Sequence, residues 1–256
     1  MSLTGPRTLI TAGAAGIGRR MVEHFLEAGA RIIVCDVDET ALERLAEERP
    51  EVTAVRADVA EEADIARLFE QVRETLGGLD NLIANAGISG PAQPVEEVSL
   101  ADWRRTMAVN IDGMFLTVRA AVPMLRQAGG GSIVTLSSAA GKFAYPLRTP
   151  YSASKWAVVG FTKTLAAELG PAGIRANSLL PGVVEGERIE RVIRDKAEAR
   201  GVPEAEMRAQ YEAFASLKTM ISPDDIAAMA VYLCSEAGRR ISGQALSIDG
   251  DIQSLA

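Results

Sequence analysis

The sequence predicts an α/β fold, a parallel sheet wound on both faces by helices, with three layers in a single domain spanning residues 1–256. Three observations carry this expectation. Short apolar runs alternate with helical patterns of about 10 to 20 residues almost from the start, the order of successive βαβ units. The runs are continuously apolar rather than alternating, as in strands covered on both faces. The first run passes through a glycine-rich turn directly into an amphipathic helix.

The elements follow in order. Strands are expected at 8–12, 31–36, 52–56, 79–84, 132–136, 175–180 and 245–248, where β-branched and aliphatic residues cluster. Helices are expected at 16–28, 39–48, 61–76, 102–127, 150–169 and 223–235. Pro123 is a possible bend in the long fourth helix. This architecture is doubly wound and Rossmann-like, and such sheets bind ligands at the carboxyl ends of their strands. One stretch breaks the rhythm. Residues 185–218 are highly charged and read as one or two helices interrupted near Gly201-Val202-Pro203. An insertion after a strand's carboxyl end is placed to serve as a substrate lid.

Composition excludes several classes. With 48% hydrophobic and 24% charged residues the chain is an ordinary folding sequence. A net charge of −7 without a Lys/Arg block argues against nucleic acid or an anionic membrane as partner. No apolar run approaches about 18 residues, so no transmembrane helix is expected. The opening MSLTGPRTLITAGAAG lacks a signal-peptide layout. His24 is the only histidine, which excludes zinc sites built on several histidines, and no metal is expected. No GxSxG occurs, which disfavours a serine hydrolase. Cys35 and Cys234 form no CxxC and read as reduced thiols of a cytoplasmic protein.

The turn Thr11-Ala12-Gly13-Ala14-Ala15-Gly16-Ile17-Gly18 brings backbone N–H groups and a helix N-terminus to one place, which suits a pyrophosphate. Asp36 closes the second strand, where a carboxylate accepts from both hydroxyls of an adenosine ribose. It would repel a 2′-phosphate, and neither Ala15 nor Val37 offers a cation to offset that. NAD(H) is therefore expected over NADP(H).

Tyr151-Ser152-Ala153-Ser154-Lys155 opens a helix behind Pro150. The spacing places Tyr151 and Lys155 on one helix face. An ammonium there favours the phenolate, which fits the phenol for proton exchange near neutral pH. Ser138, at the end of the fifth strand, could orient a substrate oxygen, or cap a turn. Asn110 is an amide within an apolar helix face, which must find partners: a water in a proton path, or backbone.

Together these residues resemble the short-chain dehydrogenase/reductase family over essentially the whole chain. The family's T-G-x-x-x-G-x-G is matched from Thr11 to Gly18, except that Ala12 stands for its first glycine. Asn85-Ala86-Gly87 matches its N-A-G, and Asp58-Val59 resembles its adenine-contacting pair. Asn110, Ser138, Tyr151 and Lys155 fall in its catalytic order, and Pro181-Gly182 matches its turn beside the nicotinamide. The segment from Ile241-Ser242-Gly243-Gln244 to Ile248-Asp249-Gly250 resembles its last strand region.

The resemblance implies that Tyr151 is the general acid/base and that Lys155 lowers its pKa and holds the nicotinamide ribose. It implies that Ser138 steadies the substrate oxygen and Asn110 a relay water. The implied cofactor contacts are Gly13, Ala15, Gly16, Ile17, Gly18, Asp36, Val37, Asp58, Val59, Asn85, Ala86, Gly87, Tyr151, Lys155, Pro181, Gly182 and Val184. Two departures stand out: Ala12, and Gly186 where the family often has a carboxamide-holding Thr. The implied assembly is a homotetramer or homodimer packed through 102–127 and 150–169.

The reaction implied is the interconversion of a secondary alcohol and a ketone. The expected pocket wall is 139–149, with Ser138, Ala140, Phe143, Arg148 and Gly182 as substrate contacts. Lys142 and Arg148 lie near the tyrosine, and Arg188, Arg191 and Arg194 recur along the lid. The lid arginines are expected to pair with Glu185, Glu187 and Glu190, while Arg148 stays open as a carboxylate or hydroxyl contact. A small polar substrate is expected: a polyol, sugar or hydroxy acid. Two other classes are weighed. A catalytically inactive nucleotide-binding or assembly protein would not need the four-residue set, and an S-adenosylmethionine-dependent methyltransferase gives no reason for it.

Overall fold

The computed structural model describes residues 5–255, without the side chains of Arg188, Lys196 and Ala199. Seven strands run parallel in one sheet: β1 (Arg7–Thr11), β2 (Arg31–Asp36), β3 (Thr53–Arg56), β4 (Asn81–Ala84), β5 (Gly131–Leu136), β6 (Ile174–Pro181) and β7 (Ala245–Ile248). Their order is β3-β2-β1-β4-β5-β6-β7. The chain winds outward from β1 to β3, then returns to β4 on the other side of β1. That reversal opens a crevice at the carboxyl ends of β1 and β4.

Neighbouring residues of each strand serve opposite layers. Leu9 packs with Leu68 of α3 (Glu62–Leu76), Val118 of α5 (Gly113–Gln127) and Val158 of α6 (Thr149–Leu169). Ile10 packs on the other face with Phe25 of α1 (Gly16–Glu27), Leu45 of α2 (Glu39–Glu48) and Ile226 of α9 (Pro223–Cys234). Each such side chain contributes about 1.5–3 kcal/mol on burial. Because both faces are covered, the strands carry no polar side to alternate with.

Local chemistry sets the helix ends. The Asp38 carboxylate accepts from Ala41 N at 3.0 Å at the start of α2, and Ser222 forms a capping box with Asp225 at the start of α9. The charged stretch forms α7 (Glu187–Arg200) and α8 (Glu204–Glu212), broken at Gly201, whose φ is +64°.

The helix expected at 102–127 differs. It divides into α4 (Leu100–Met107), a π turn (Ala108–Asp112) and α5. Helix α5 continues past Pro123. The irregularity falls instead at Asn110, the sort of place where a π turn accommodates a functional residue. Leu100–Gln127 also has the length and hydropathy of a membrane span, but half of its apolar window is buried inside the protein, as in a core helix.

Candidate active site

The site grows from the ends of β1, β4, β5 and β6. Thr11 closes β1, and its hydroxyl accepts from Asn85 N and Ala86 N, both at 3.0 Å. The Asn85 amide donates back to Thr11 O and Ala12 O, each at 3.0 Å. The N-A-G segment after β4 therefore holds the glycine turn after β1. Gly18 is pressed against that turn: a Cβ there would lie 2.0 Å from Ala12 O. Gly16 has φ +54° and no atom within 4 Å of its would-be Cβ. The turn is tight behind and open in front, a cradle of the shape a dinucleotide's pyrophosphate needs. Ala15 and Gly16 are exposed at its rim, and Ile17 is half-buried behind them.

Ala12 adopts φ +50°, where an L residue is strained by about 1 kcal/mol. Ala12→Gly should therefore raise stability by roughly 0.5–1 kcal/mol, about 1–4 °C in Tm. Thermal unfolding followed by circular dichroism checks this; a lower Tm would count against it.

Asp36 reaches the same turn. Its carboxylate accepts from Ala14 N at 3.2 Å, Val37 N at 2.8 Å and Asp38 N at 3.2 Å. Val37 stays 55% exposed, so the edge beside the carboxylate is open to an adenosine. Cys35 is buried behind it, and burial pushes its thiol up to about 12. Asp58 accepts from Ala60 N at 2.9 Å, and Val59 is buried under α5 beside Gly113.

At the other half of the crevice, Lys155 is 4% exposed. Its ammonium lies 5.6 Å from the Tyr151 ring centroid and donates to Leu136 O at 2.8 Å. Ser137 is buried and donates to Lys155 O at 2.7 Å, which ties β5 to α6. Ser138 is half-buried; its oxygen accepts from Ala140 N at 3.1 Å, which leaves the hydroxyl proton for another acceptor. Ser138 thus caps a turn while keeping a donor.

Asn110 is fully buried. Its amide donates to Ile88 O and Ser154 Oγ, both at 2.9 Å, and accepts from Ile88 N at 2.7 Å. Both N–H groups are engaged, so Asn110 offers a water only acceptor atoms. A Cβ on Gly87 would lie 3.2 Å from Lys155 Nζ and 3.3 Å from Asn110 Oδ1. The loop after β4 thus passes between these two residues, where only a glycine fits without displacing them.

Pro181 ends β6, and Gly182 donates to Ile248 O at 2.9 Å. Val184 bridges to Ile221. Gly186, where the family often has Thr, holds φ +140°, a conformation that glycine adopts readily and side-chain-bearing residues rarely do. The lid arginines differ from expectation. Glu190 pairs with Arg208 across α7 and α8, and among the described residues neither Arg191 nor Arg194 forms an ion pair. They line a cleft of about 560 Å³ with Gly186, Glu187 and Glu190. Turning both guanidiniums to that open space follows from the opposite face of α7, where Ile193 and Ala197 are buried against Met207. The Arg188 side chain lies outside the described residues.

A protein-family model described as Enoyl-(Acyl carrier protein) reductase matches residues 12–251. The chain belongs to the short-chain dehydrogenase/reductase family. This short-chain dehydrogenase/reductase is 36% identical to D-threitol dehydrogenase of Mycolicibacterium smegmatis, over 97% of this chain and 93% of that one. It is 31% identical to D-beta-hydroxybutyrate dehydrogenase of Rhizobium meliloti, over 94% and 96%. It superposes on 3-ketoacyl-(acyl-carrier-protein) reductase from Brucella melitensis complexed with NADH with a TM-score of 0.86 at 32% identity, covering 97% and 98% of the two chains. The seven-stranded parallel sheet is the Rossmann-like sheet of these oxidoreductases.

Thr11, Ser137 and Ser154 hold the site's parts together, and the motif reading assigned them no role. The signal was there for two of them: a polar residue closing a strand, and a serine three residues after Tyr151 on its helix.

Proposed function

We propose that this oxidoreductase uses NAD(H) to interconvert a secondary alcohol and its ketone on a small polar substrate, a polyol, sugar or hydroxy acid. The observation that carries the reading is the buried Lys155 ammonium set against the Tyr151 ring, with Ser138 at the adjacent strand end.

Tyr151 takes the hydroxyl proton on oxidation and returns it on reduction. Lys155 favours the phenolate by its charge. Ser138 donates its remaining hydrogen to the substrate oxygen and holds it beside the phenol. Asn110 fixes the loop after β4 and, through Ser154, the first turns of α6. The glycine turn, Asp36, Asp58, Val59, Asn85, Ala86, Gly87, Pro181, Gly182 and Val184 would hold the dinucleotide, which when bound supplies hydride exchange at its nicotinamide. Residues 185–218 act as the lid.

The polar substrate draws support from the relatives named for threitol and hydroxybutyrate. NAD(H) draws support from Asp36 and from the NADH complex of the Brucella enzyme. Self-association through α5 and α6 as a homotetramer or homodimer fits the exposure of Phe115 (46%) and Trp156 (52%). Two free thiols fit a cytoplasmic setting.

The test is NAD+ reduction, read at the NADH absorbance, across secondary alcohols, sugars and hydroxy acids. NADH binding without turnover of any of them would favour the inactive-protein reading. Asp36→Ala should lower kcat/KM for NAD+ by about 10- to 100-fold, the loss of charged hydrogen bonds to two ribose hydroxyls. The value for NADP+ should fall less or rise. Unchanged kinetics with both cofactors would sink the NAD assignment.

A further inference from the structure

We propose that Glu39 is a second determinant of the cofactor preference: it withholds Arg56, a cation standing beside Asp36, from the ribose edge that Asp36 marks. The proposal rests on the NAD(H) reading and extends it from one carboxylate to two.

The strand register puts the cation there. Asp36 ends β2, Arg56 ends β3, and the two are partners across the parallel ladder. Ala57 N donates to Asp36 O at 3.0 Å, so the pairing holds to the last residue of both strands. Such partners project to the same face of a sheet, from strands about 4.8 Å apart. Val34 and Ala54, two residues earlier on each strand, both pack in the layer of α1 and α2, so Asp36 and Arg56 project to that layer too. The glycine turn lies in the same layer, and its Ala14 N donates to the Asp36 carboxylate. An arginine at this place is within a side chain's span of the edge that Asp36 occupies. Yet among the described residues the two form no ion pair. Asp36 takes three backbone N–H groups instead. Arg56 Nε lies 2.8 Å from Glu39 Oε1, in the first turn of α2.

Charge gives that pair a consequence. The edge carries the acids Asp36, Asp38, Glu39, Asp58 and Asp64. The Asp58 N–H holds the Asp64 carboxyl below its ordinary range, and the charge of Arg56 contributes, which places Arg56 along this edge as well. Two further arginines here are engaged by other acids: Arg67 pairs with Asp64, and Arg105 faces Asp58 at 3.9 Å. A guanidinium free beside a ribose would match a 2′-phosphate through paired N–H···O bonds. Paired with Glu39, Arg56 is neutralised and drawn toward α2. A 2′-phosphate would then meet two carboxylates and no free cation. Arg56 and Glu39 are both exposed, and an exposed ion pair adds little to stability. Its effect falls on selection instead, by keeping a favourable partner from the wrong ligand. The motif reading looked for a cation at positions 15 and 37 and could not find this one, because only the β2–β3 pairing brings it to Asp36.

The experiment measures the affinities of NADH and NADPH by nicotinamide fluorescence, and of 2′-AMP and 5′-AMP by competition. It uses the wild type, Glu39→Gln, Glu39→Gln with Arg56→Gln, and Glu39→Gln with Asp36→Asn. The wild type should bind NADH at least about tenfold more tightly than NADPH. Glu39→Gln should tighten NADPH and 2′-AMP by about tenfold, as one charged hydrogen bond does, and move NADH and 5′-AMP by less than about twofold. Adding Arg56→Gln should remove that gain, and adding Asp36→Asn should enlarge it. Tm should stay within about 4 °C in Glu39→Gln, since the pair is exposed. Unaltered NADPH affinity in Glu39→Gln overturns the proposal while the NAD(H) reading stands, and so does a gain that persists without Arg56. Equal affinity of the wild type for NADH and NADPH overturns both.

Discussion

Tyr151→Phe should cut kcat by about 10³-fold, within the 10²–10⁴ that a positioned general acid/base contributes. Phenylalanine fills the same volume and offers the same ring face to the Lys155 ammonium, 5.6 Å from the centroid. Lys155 keeps its bond to Leu136 O, and Ser137 keeps its bond to Lys155 O. These two bonds between α6 and β5 do not involve the hydroxyl that is lost. The variant should therefore unfold within a few degrees of the wild type and bind NADH within about threefold. The comparison of kcat with NADH affinity is the measurement. A variant that turns over at near-normal rate would move the proton to another group and dissolve the assignment. A variant that loses NADH binding in the same proportion would make Tyr151 a cofactor contact rather than the acid/base.

The parallel, two-sided sheet was legible because its strands are continuous apolar runs, and only two-sided burial asks for that; the order of the strands came from the structure. Asp36 was legible for the same reason: it is the first charged residue after such a run, so it marks the carboxyl end. The π turn was not. Its extra backbone residue leaves the apolar pattern of 102–127 intact and shows only in where Asn110 points. The family's order selects Ser138 over Ser137, but the physical reason, that the Ser137 hydroxyl is spent on Lys155 O, shows only in the fold. Arg208 lies 18 residues from Glu190, which no i,i+4 reading of α7 would pair with it. Least legible was the hydrocarbon cluster in which Phe143 and Phe214 pack around Ala139, Ala215 and Ile252: its members lie far apart in sequence, and the pairing of 215–217 with 250–252 that joins two of its segments is a tertiary contact.

Gly18→Ala should separate the fold's need for the glycine turn from the cofactor's need for it. The added Cβ would sit 2.0 Å from Ala12 O and 2.8 Å from Asn85 Nδ2, and the first of these is backbone that α1 and β1 hold from both sides. The only relief is for α1 to back away from the turn, which loosens the packing of Met21, Val22 and Phe25 on the sheet. Overpacking of this kind costs about 3 kcal/mol, or roughly 6–12 °C in Tm for a chain of this size. The Asn85 bonds to Thr11 O and Ala12 O stretch with it, so NADH affinity should fall at least about tenfold. Gly16→Ala makes the contrast. Its Cβ would meet nothing within 4 Å, so its cost to stability is the left-handed strain alone, about 1 kcal/mol at φ +54°. If the open side of the turn receives the pyrophosphate, Gly16→Ala should lose affinity out of proportion to that small loss of stability. Thermal unfolding and NADH titration of the two variants side by side decide it. Unaltered NADH affinity in Gly16→Ala would mean that the dinucleotide does not enter by the turn's open face.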